Sequence, residues 1–318
     1  MNNKTVSVVI PVKNEAKKIK ACIEGILNQT IKVLEIIVLD SGSTDGTLDI
    51  LKKYQEVKII NISPQEFNHG ETRNVGVREA KGDYVLLTVG DAVAIDNLWI
   101  ENLLSSFENE NIACVFGQQI VPHEPDKNPV EWFMPISKPG KHISYIGNED
   151  NFNKLSSYEK QQMCFIDDVT AMYRRDLLLK YPYQKVNYSE DVIWAKEILV
   201  KGYTIVYNSH AKVFHYHNTD YEFDFKRTFS VHYFRYIHFG LIPSYKRDFL
   251  FGLRVIKKLI SIKNISLVNK LKWYFYNINQ QKAIRKATNE FIEIMKKGDE
   301  NIKIYYNKNF GMPPVPIK

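Results

Sequence analysis

TVSVVIPVKNE, residues 5–15, and LEIIVLDSGSTDGT, residues 34–47, decide the fold. The first opens on a run of β-branched apolar residues without polar alternation, the pattern of a strand buried on both faces. Asn14 stands where it can cap a helix on which Ile19, Ile23, Ile26 and Leu27 recur at helical spacing. Leu34–Leu39 is a second strand ending on Asp40, and the turn-rich SGSTDG leads to a helix carrying Leu48, Leu51 and Tyr54. Val57–Ile62 reads as a third strand, residues 71–80 as a helix, and Asp83–Val89 as a fourth strand running into Gly90-Asp91. Strands alternating with single helices predict an α/β fold: a doubly wound, mostly parallel sheet with helices on both faces. Such sheets bind ligands outside the carboxyl ends of their strands. Three polar clusters fall at those ends: Val12-Lys13-Asn14-Glu15, Asp40–Asp45 and Asp91.

The 318 residues suffice for one large α/β domain and a smaller appendage. Cys22, Cys114 and Cys164 are odd in number and widely spaced, which argues against a disulfide framework or a cysteine zinc site. Val6–Val12, broken by Ser7 and Pro11, is too short for a signal peptide. The best long apolar run, Phe249–Ile262, carries Arg254, Lys257 and Lys258, so a cytoplasmic protein is expected. The net charge of +7 conceals a split: residues 1–220 hold 24 Lys and Arg against 29 Asp and Glu, residues 221–297 hold 16 against 5. That break suggests two regions with different partners, one over 1–220 and a basic one, helical in period, over 221–318. Between 121 and 162 the periodicity fades among five prolines, which reads as a long functional loop. A helix is expected near Asp191–Lys201 and a strand at Tyr203–Tyr207.

Each candidate residue has a bland reading beside the chemical one. Asp40 suits the N–H of a pyrimidine base, while Ser43 and Thr44 equally suit a helix cap. Asp91 suits a divalent cation neutralising a diphosphate, or a turn. His215 and His217 alternate along an extended segment, so one of them is expected to face Asp91. Ser189-Glu190-Asp191 opens a helix, where acidic residues complement the dipole; the chemical alternative is a carboxylate that takes a proton from a hydroxyl. Arg73 and Asn74 are expected in a first helical turn, where N–H groups and a guanidinium bind phosphate.

Taken together, VSVVIPVKNE, VLDSGSTDGT, TRNVGVREAKGDYVLLTVGDA and YSEDVIWAKEILVKGY resemble, in order and spacing, the inverting GT-A glycosyltransferases of the family-2 type, over residues 5–218. FNHGETRN, residues 67–74, with the later Gly90-Asp91-Ala92, looks like the bacterial rhamnosyltransferase branch that uses dTDP-rhamnose. The resemblance implies a donor site built from Pro11, Val12, Asn14, Glu15, Asp40, Ser41, Ser43, His69, Arg73, Asn74 and Gly90, with Asp40 at the base and Glu15 near the ribose. It implies Mg²⁺ or Mn²⁺ at Asp91 with His215 or His217, and Asp191 as catalytic base with Glu190 as its understudy. The first carboxylate of the family's DxD motif is missing, since Val89-Gly90-Asp91 stands there.

The implied partners are a dTDP- or UDP-linked sugar and a glycan or lipid-linked saccharide acceptor of a bacterial surface polysaccharide. The basic tail suits an anionic membrane surface on the inner face of the cell membrane. No nucleic-acid motif accompanies its charge. A sugar-1-phosphate nucleotidyltransferase would need a Gly-rich basic loop where this chain has VKNEAKK. A catalytically inactive nucleotide-sugar or glycan-binding module is the remaining alternative of another class.

Overall fold

The computed structural model describes residues 4–133, 138–245 and 248–310. The chain divides into two compact units, Met1–Ile120 with Ile136–His215, and Val121–Pro135 with Tyr216–Lys318.

The first unit is organised by one sheet. Its strands are β1 (Val6–Val12), β2 (Glu35–Asp40), β3 (Val57–Asn61), β4 (Tyr84–Thr88), β5 (Val93–Ala94), β6 (Ile112–Ile120), β7 (Lys141–Tyr145), β8 (Thr170–Arg174) and β9 (Thr204–Phe214). They are ordered β3-β2-β1-β4-β8-β6-β9-β5, with β7 on β9. The four strands read from the opening sequence form the expected parallel half. β8 runs antiparallel to both β4 and β6, β6 and β9 are parallel, and β5 and β7 each run antiparallel to β9. Because β8 is reversed, Thr170 at its start pairs with Thr88 at the end of β4. The residues just before β8 therefore arrive at the same sheet edge as Asp91.

Alternation along β1 sorts its side chains between two layers. Val6, Val8, Ile10 and Val12 enter the main core with Ile19, Ile23 and Ile26 of α1 (Ile19–Leu27) and with Trp99, Ile100 and Leu103 of the later helix Trp99–Leu104. On the opposite face Val9 and Leu39 lie beneath the helix His69–Glu79, so closely that a Cβ on Gly76 would fall 2.4 Å from Val9 Cγ1. Between these come α2 (Thr47–Leu51), after which the helix at His69–Glu79 is α3 and that at Trp99–Leu104 is α4.

Several expected boundaries move. Asn14 does not cap α1, which begins only after Lys18; its φ is +58° and its side chain is used elsewhere. Neither Ser43 nor Thr44 caps α2, which starts after Gly46 in a left-handed conformation. α3 begins at His69, capped by the Asn68 side chain accepting from the Glu71 N–H, so Arg73 and Asn74 lie beyond its first turn. The segment expected to be irregular is partly ordered. It contains β7, α5 (Glu149–Lys154) and α6 (Ser157–Met163), the last opened by a Ser156/Glu159 capping box. Residues 134–137 of that segment lie outside the described ones. α7 (Arg175–Lys180) and α8 (Glu190–Val200) complete the unit.

The second unit is helical, as expected: α9 (Tyr221–Phe239), α10 (Phe251–Ser261), α11 (Leu267–Met295) and α12 (Asp299–Phe310). Much of its aromatic content is interior. Phe229, Phe291, Tyr306 and Phe310 form a core in which Phe229 and Phe310 stack with centroids 4.4 Å apart. Asn128 and Asn277 exchange amide hydrogen bonds of 3.1 and 3.0 Å, tying the loop at Asn128 to α11. Among the described residues no helix is long and apolar enough to cross a membrane. All three cysteines are free and buried, and burial pushes the Cys164 thiol up to about 12.

Candidate active site

At the carboxyl edge of the parallel strands, the loops after β1 and β2 are bonded to one another. The Asn14 N–H donates to Ser43 Oγ at 2.8 Å, and the Thr44 N–H donates to Asn14 Oδ1 at 2.8 Å. The Glu15 N–H donates to Thr47 Oγ1 at 2.8 Å. Both the N–H and the hydroxyl of Ser41 donate to the Val12 carbonyl. Asn14, Ser41 and Ser43, expected as donor ligands, thus spend these groups on holding the loops. Asp40 is 3% exposed and accepts from the N–H groups of Gly42 and Ser43 at 3.0–3.2 Å, which orients its carboxylate and leaves each oxygen further acceptor capacity. Pro11 and Glu15 are half-buried beside it. Gly90 brings the end of β4 against this loop: a Cβ there would fall 2.9 Å from Glu15 Cγ and 3.0 Å from Val12 Cγ1. A larger residue before Asp91 would have to displace Glu15.

Asp91 is 6% exposed. Lys18 Nζ lies 3.4 Å from its Oδ2, and His215 Nε2 lies 3.4 Å from its Oδ1. Behind His215 stands a relay. Gln119 donates its amide to Asp167 and accepts, through Oε1, from His215 Nδ1 at 2.6 Å. An acceptor at Nδ1 fixes the ring with Nε2 towards Asp91, the nitrogen a metal ligand would use. β9 stops at Phe214, so the period-two argument that chose one histidine lapses. Within the first unit Asp91 and His215 face each other, and His217 follows two residues on in the chain. One carboxylate and two imidazoles fit a divalent ion such as Mn²⁺.

The other half of the site is built by the FNHGETRN block, and its role differs from the expected one. Arg73 is 5% exposed, with Nη1 2.5 Å from Glu190 Oε1 and Nε 3.4 Å from Asp168 Oδ2. Two buried carboxylates thus engage the guanidinium expected at the donor phosphates. Asn74 is equally committed, giving its amide to the Tyr183 carbonyl and accepting the Tyr183 N–H. Asn68 donates to the Val186 carbonyl at 2.7 Å. Gly70 lets the loop close in, since a Cβ would lie 3.0 Å from both the Gln184 carbonyl and Tyr183 Cβ. His69 is half-buried edge-on to Phe67; burial and the Arg73 charge pull it down to about 4, so it is neutral near pH 7. The block clamps residues 183–190, the approach to α8.

α8 starts from Ser189 at φ +61°, with no side-chain cap. Glu190, the expected understudy base, is engaged by Arg73. Asp191 is half-buried, with Oδ1 accepting from the Val192 N–H at 2.8 Å. Burial, with Glu190 and Asp168 nearby, holds its carboxyl well above the usual carboxylate range. Asp168 joins the halves. Its Oδ1 accepts from the hydroxyls of Tyr173 at 2.5 Å and Tyr183 at 3.0 Å, while its neighbour Asp167 holds Gln119. Burial raises both carboxyls. Lys18, Gln119, Asp167 and Asp168 escaped the sequence reading. An adjacent acidic pair leading into the apolar strand TAMYR was the available signal for the last two.

The model of "Glycosyl transferase family 2" matches residues 7–181. Among curated proteins, the O-antigen chain rhamnosyltransferase RfbN of Salmonella typhimurium is 29% identical, over 77% of this chain and 75% of that protein. The O-antigen chain rhamnosyltransferase WbaN of Salmonella anatum is 31% identical, over 70% of this chain and 67% of its own length. Among solved structures, the mannosyltransferase PcManGT of Pyrobaculum calidifontis, in complex with GDP-mannose and Mn²⁺, superposes with a TM-score of 0.53 at 16% identity. It covers 96% of this chain and 79% of the mannosyltransferase.

Proposed function

This chain belongs to glycosyl transferase family 2 and has the GT-A fold, and from that premise we propose that it transfers rhamnose from dTDP-rhamnose, with inversion, to a hydroxyl of a lipid-linked bacterial surface saccharide. The observation that carries the reaction is Asp191, a carboxyl raised in basicity and held at the first turn of α8 by the Arg73–Glu190 pair. Asp191 takes the proton of the acceptor hydroxyl as that oxygen attacks the anomeric carbon, and the bond from that carbon to the diphosphate breaks on the opposite side. Asp40 and Glu15 orient the nucleoside, and Lys18 places a cation beside Asp91 for the charge that develops on the leaving group. Asp91, His215 and His217 would hold a metal ion, which supplies positive charge against the diphosphate. Two imidazoles in that set favour Mn²⁺ over Mg²⁺. Rhamnose as the sugar rests on the two Salmonella relatives.

The test is release of nucleoside diphosphate from dTDP-rhamnose, UDP-hexoses and GDP-mannose, each with a lipid-linked saccharide fraction. The product's anomeric configuration is read by NMR. Release of dTDP alone, with inverted configuration, is expected. Release of UDP alone keeps the glycosyltransferase and removes rhamnose, while a retained configuration removes Asp191 as the base. Silence with every donor leaves the inactive-module reading.

A further inference from the structure

α10 and the first turns of α11 form a helical hairpin that is apolar on two sides. Inside, Val255 and Leu259 pack on Trp273, all three 1–3% exposed. Outside, Leu253, Ile256, Ile260, Leu267, Leu271 and Phe275 are 39–73% exposed. On α10 the three exposed residues recur at spacings of three and four, opposite Val255 and Leu259; on α11 the other three recur every fourth residue, away from Trp273. The helices pair in a register that levels these rows. A Cβ on Gly252 would lie 3.4 Å from Tyr274 Oη and 3.7 Å from Ile278 Cδ1, so Leu253 stands near the level of Phe275 and Ile260 near that of Leu267. A soluble surface seldom leaves so many large apolar side chains exposed along one short hairpin.

Charge indicates what covers them. Residues 249–275 contain six Lys and Arg and no Asp or Glu. Lys257 and Lys270 carry long stems beside the apolar rows, able to seat the chain while the ammonium stays at headgroup depth. Arg254 is paired with Asp248, but a second copy of this hairpin would still bring five lysines against five, whereas an anionic bilayer surface complements both features at once. We propose that the α10–α11 hairpin docks the protein on anionic lipid, its exposed rows entering the headgroup–acyl boundary and its lysines meeting lipid phosphate. This narrows the tail's general basicity to one element with a defined apolar face. It is independent of the donor sugar, which nucleotide release in solution reads separately.

Flotation of the full chain with vesicles of phosphatidylglycerol and phosphatidylethanolamine, against phosphatidylcholine vesicles, tests it at physiological salt. The protein floats with the anionic vesicles only. The exposed pair Leu253→Ser with Phe275→Ser weakens binding at least about tenfold, and Lys257→Gln with Lys270→Gln weakens it roughly thirtyfold. Circular dichroism of each variant matches the parent. Absence of flotation with anionic vesicles overturns the proposal, as does equal flotation with both vesicle types. So does a concentration-dependent dimer, seen by sedimentation, that Leu253→Ser with Phe275→Ser dissociates without any vesicle binding in the parent; that result assigns the face to a second copy.

Discussion

Replacing Arg73 with Met tests whether the FNHGETRN block builds the approach to α8. The guanidinium lies 2.5 Å from Glu190 and 3.4 Å from Asp168, with all three side chains below 10% exposed. Methionine fills a similar stem volume but leaves two buried carboxylates without their cation. Breaking a buried pair from one side costs about 3–5 kcal/mol, a large part of a typical domain's stability. The cost carries a pH signature. Burial already raises the Asp168 carboxyl, and Arg73 is what pulls it back down. Without Arg73 the folded-state carboxyl rises further above its unfolded value, so the folded variant binds the proton more tightly than the unfolded chain does. Stability then falls as pH rises through the window between the ordinary carboxylate value and the raised one. Urea unfolding followed by tryptophan fluorescence, with Trp99 and Trp194 buried in this unit, should show a deficit that grows from about pH 5 to pH 7. Arg73→Met with Glu190→Gln should recover part of it. A deficit below about 1 kcal/mol, or one that does not change with pH, would refute the buried-pair argument.

Asp191→Asn should lower kcat by about 10²–10⁴-fold with nucleotide affinity unchanged; in the parent, kcat should fall on the acid side from a pH above the ordinary carboxylate range, because the raised carboxyl must be ionised to act. Gln119→Leu removes the acceptor for His215 Nδ1 and should weaken Mn²⁺ binding about 10–100-fold by calorimetry, whereas a purely structural Gln119 would move only the unfolding midpoint. Gly90→Ala places a Cβ 2.9 Å from Glu15 Cγ and should reduce nucleotide affinity with little change in circular dichroism; unaltered affinity would detach Glu15 from the donor site.

The opening strands were legible because they are buried on both faces, so composition alone marks Val6–Val12 and Glu35–Asp40. The reversed β8 was not, since Thr170–Arg174 is short and its direction is set by pairing with β4 and β6 rather than by its own residues. Motif resemblance singled out Asp91, Asp191, His215 and His217 as residues of interest. It did not foretell the contacts of Arg73, Asn74 and Glu190, because an ion pair and a hydrogen bond that each span more than a hundred residues leave no local periodicity. The polar groups of Asn14, Ser41 and Ser43 were equally ambiguous in sequence: the residue types that bind a nucleoside are those that tie two turns together. Gly90 is the reverse case: its small size has a steric reason in the close approach of Glu15 and Val12, which no local pattern announces.

Calorimetric titration of the full chain with dTDP, UDP and GDP, each with Mn²⁺ and with EDTA, tests the central claim most directly. dTDP should bind best, Mn²⁺ should tighten it, and Asp91→Asn should remove that dependence. Binding of none of the three, by a protein whose circular dichroism shows it folded, would contradict a nucleotide-sugar site at the carboxyl edge of this sheet.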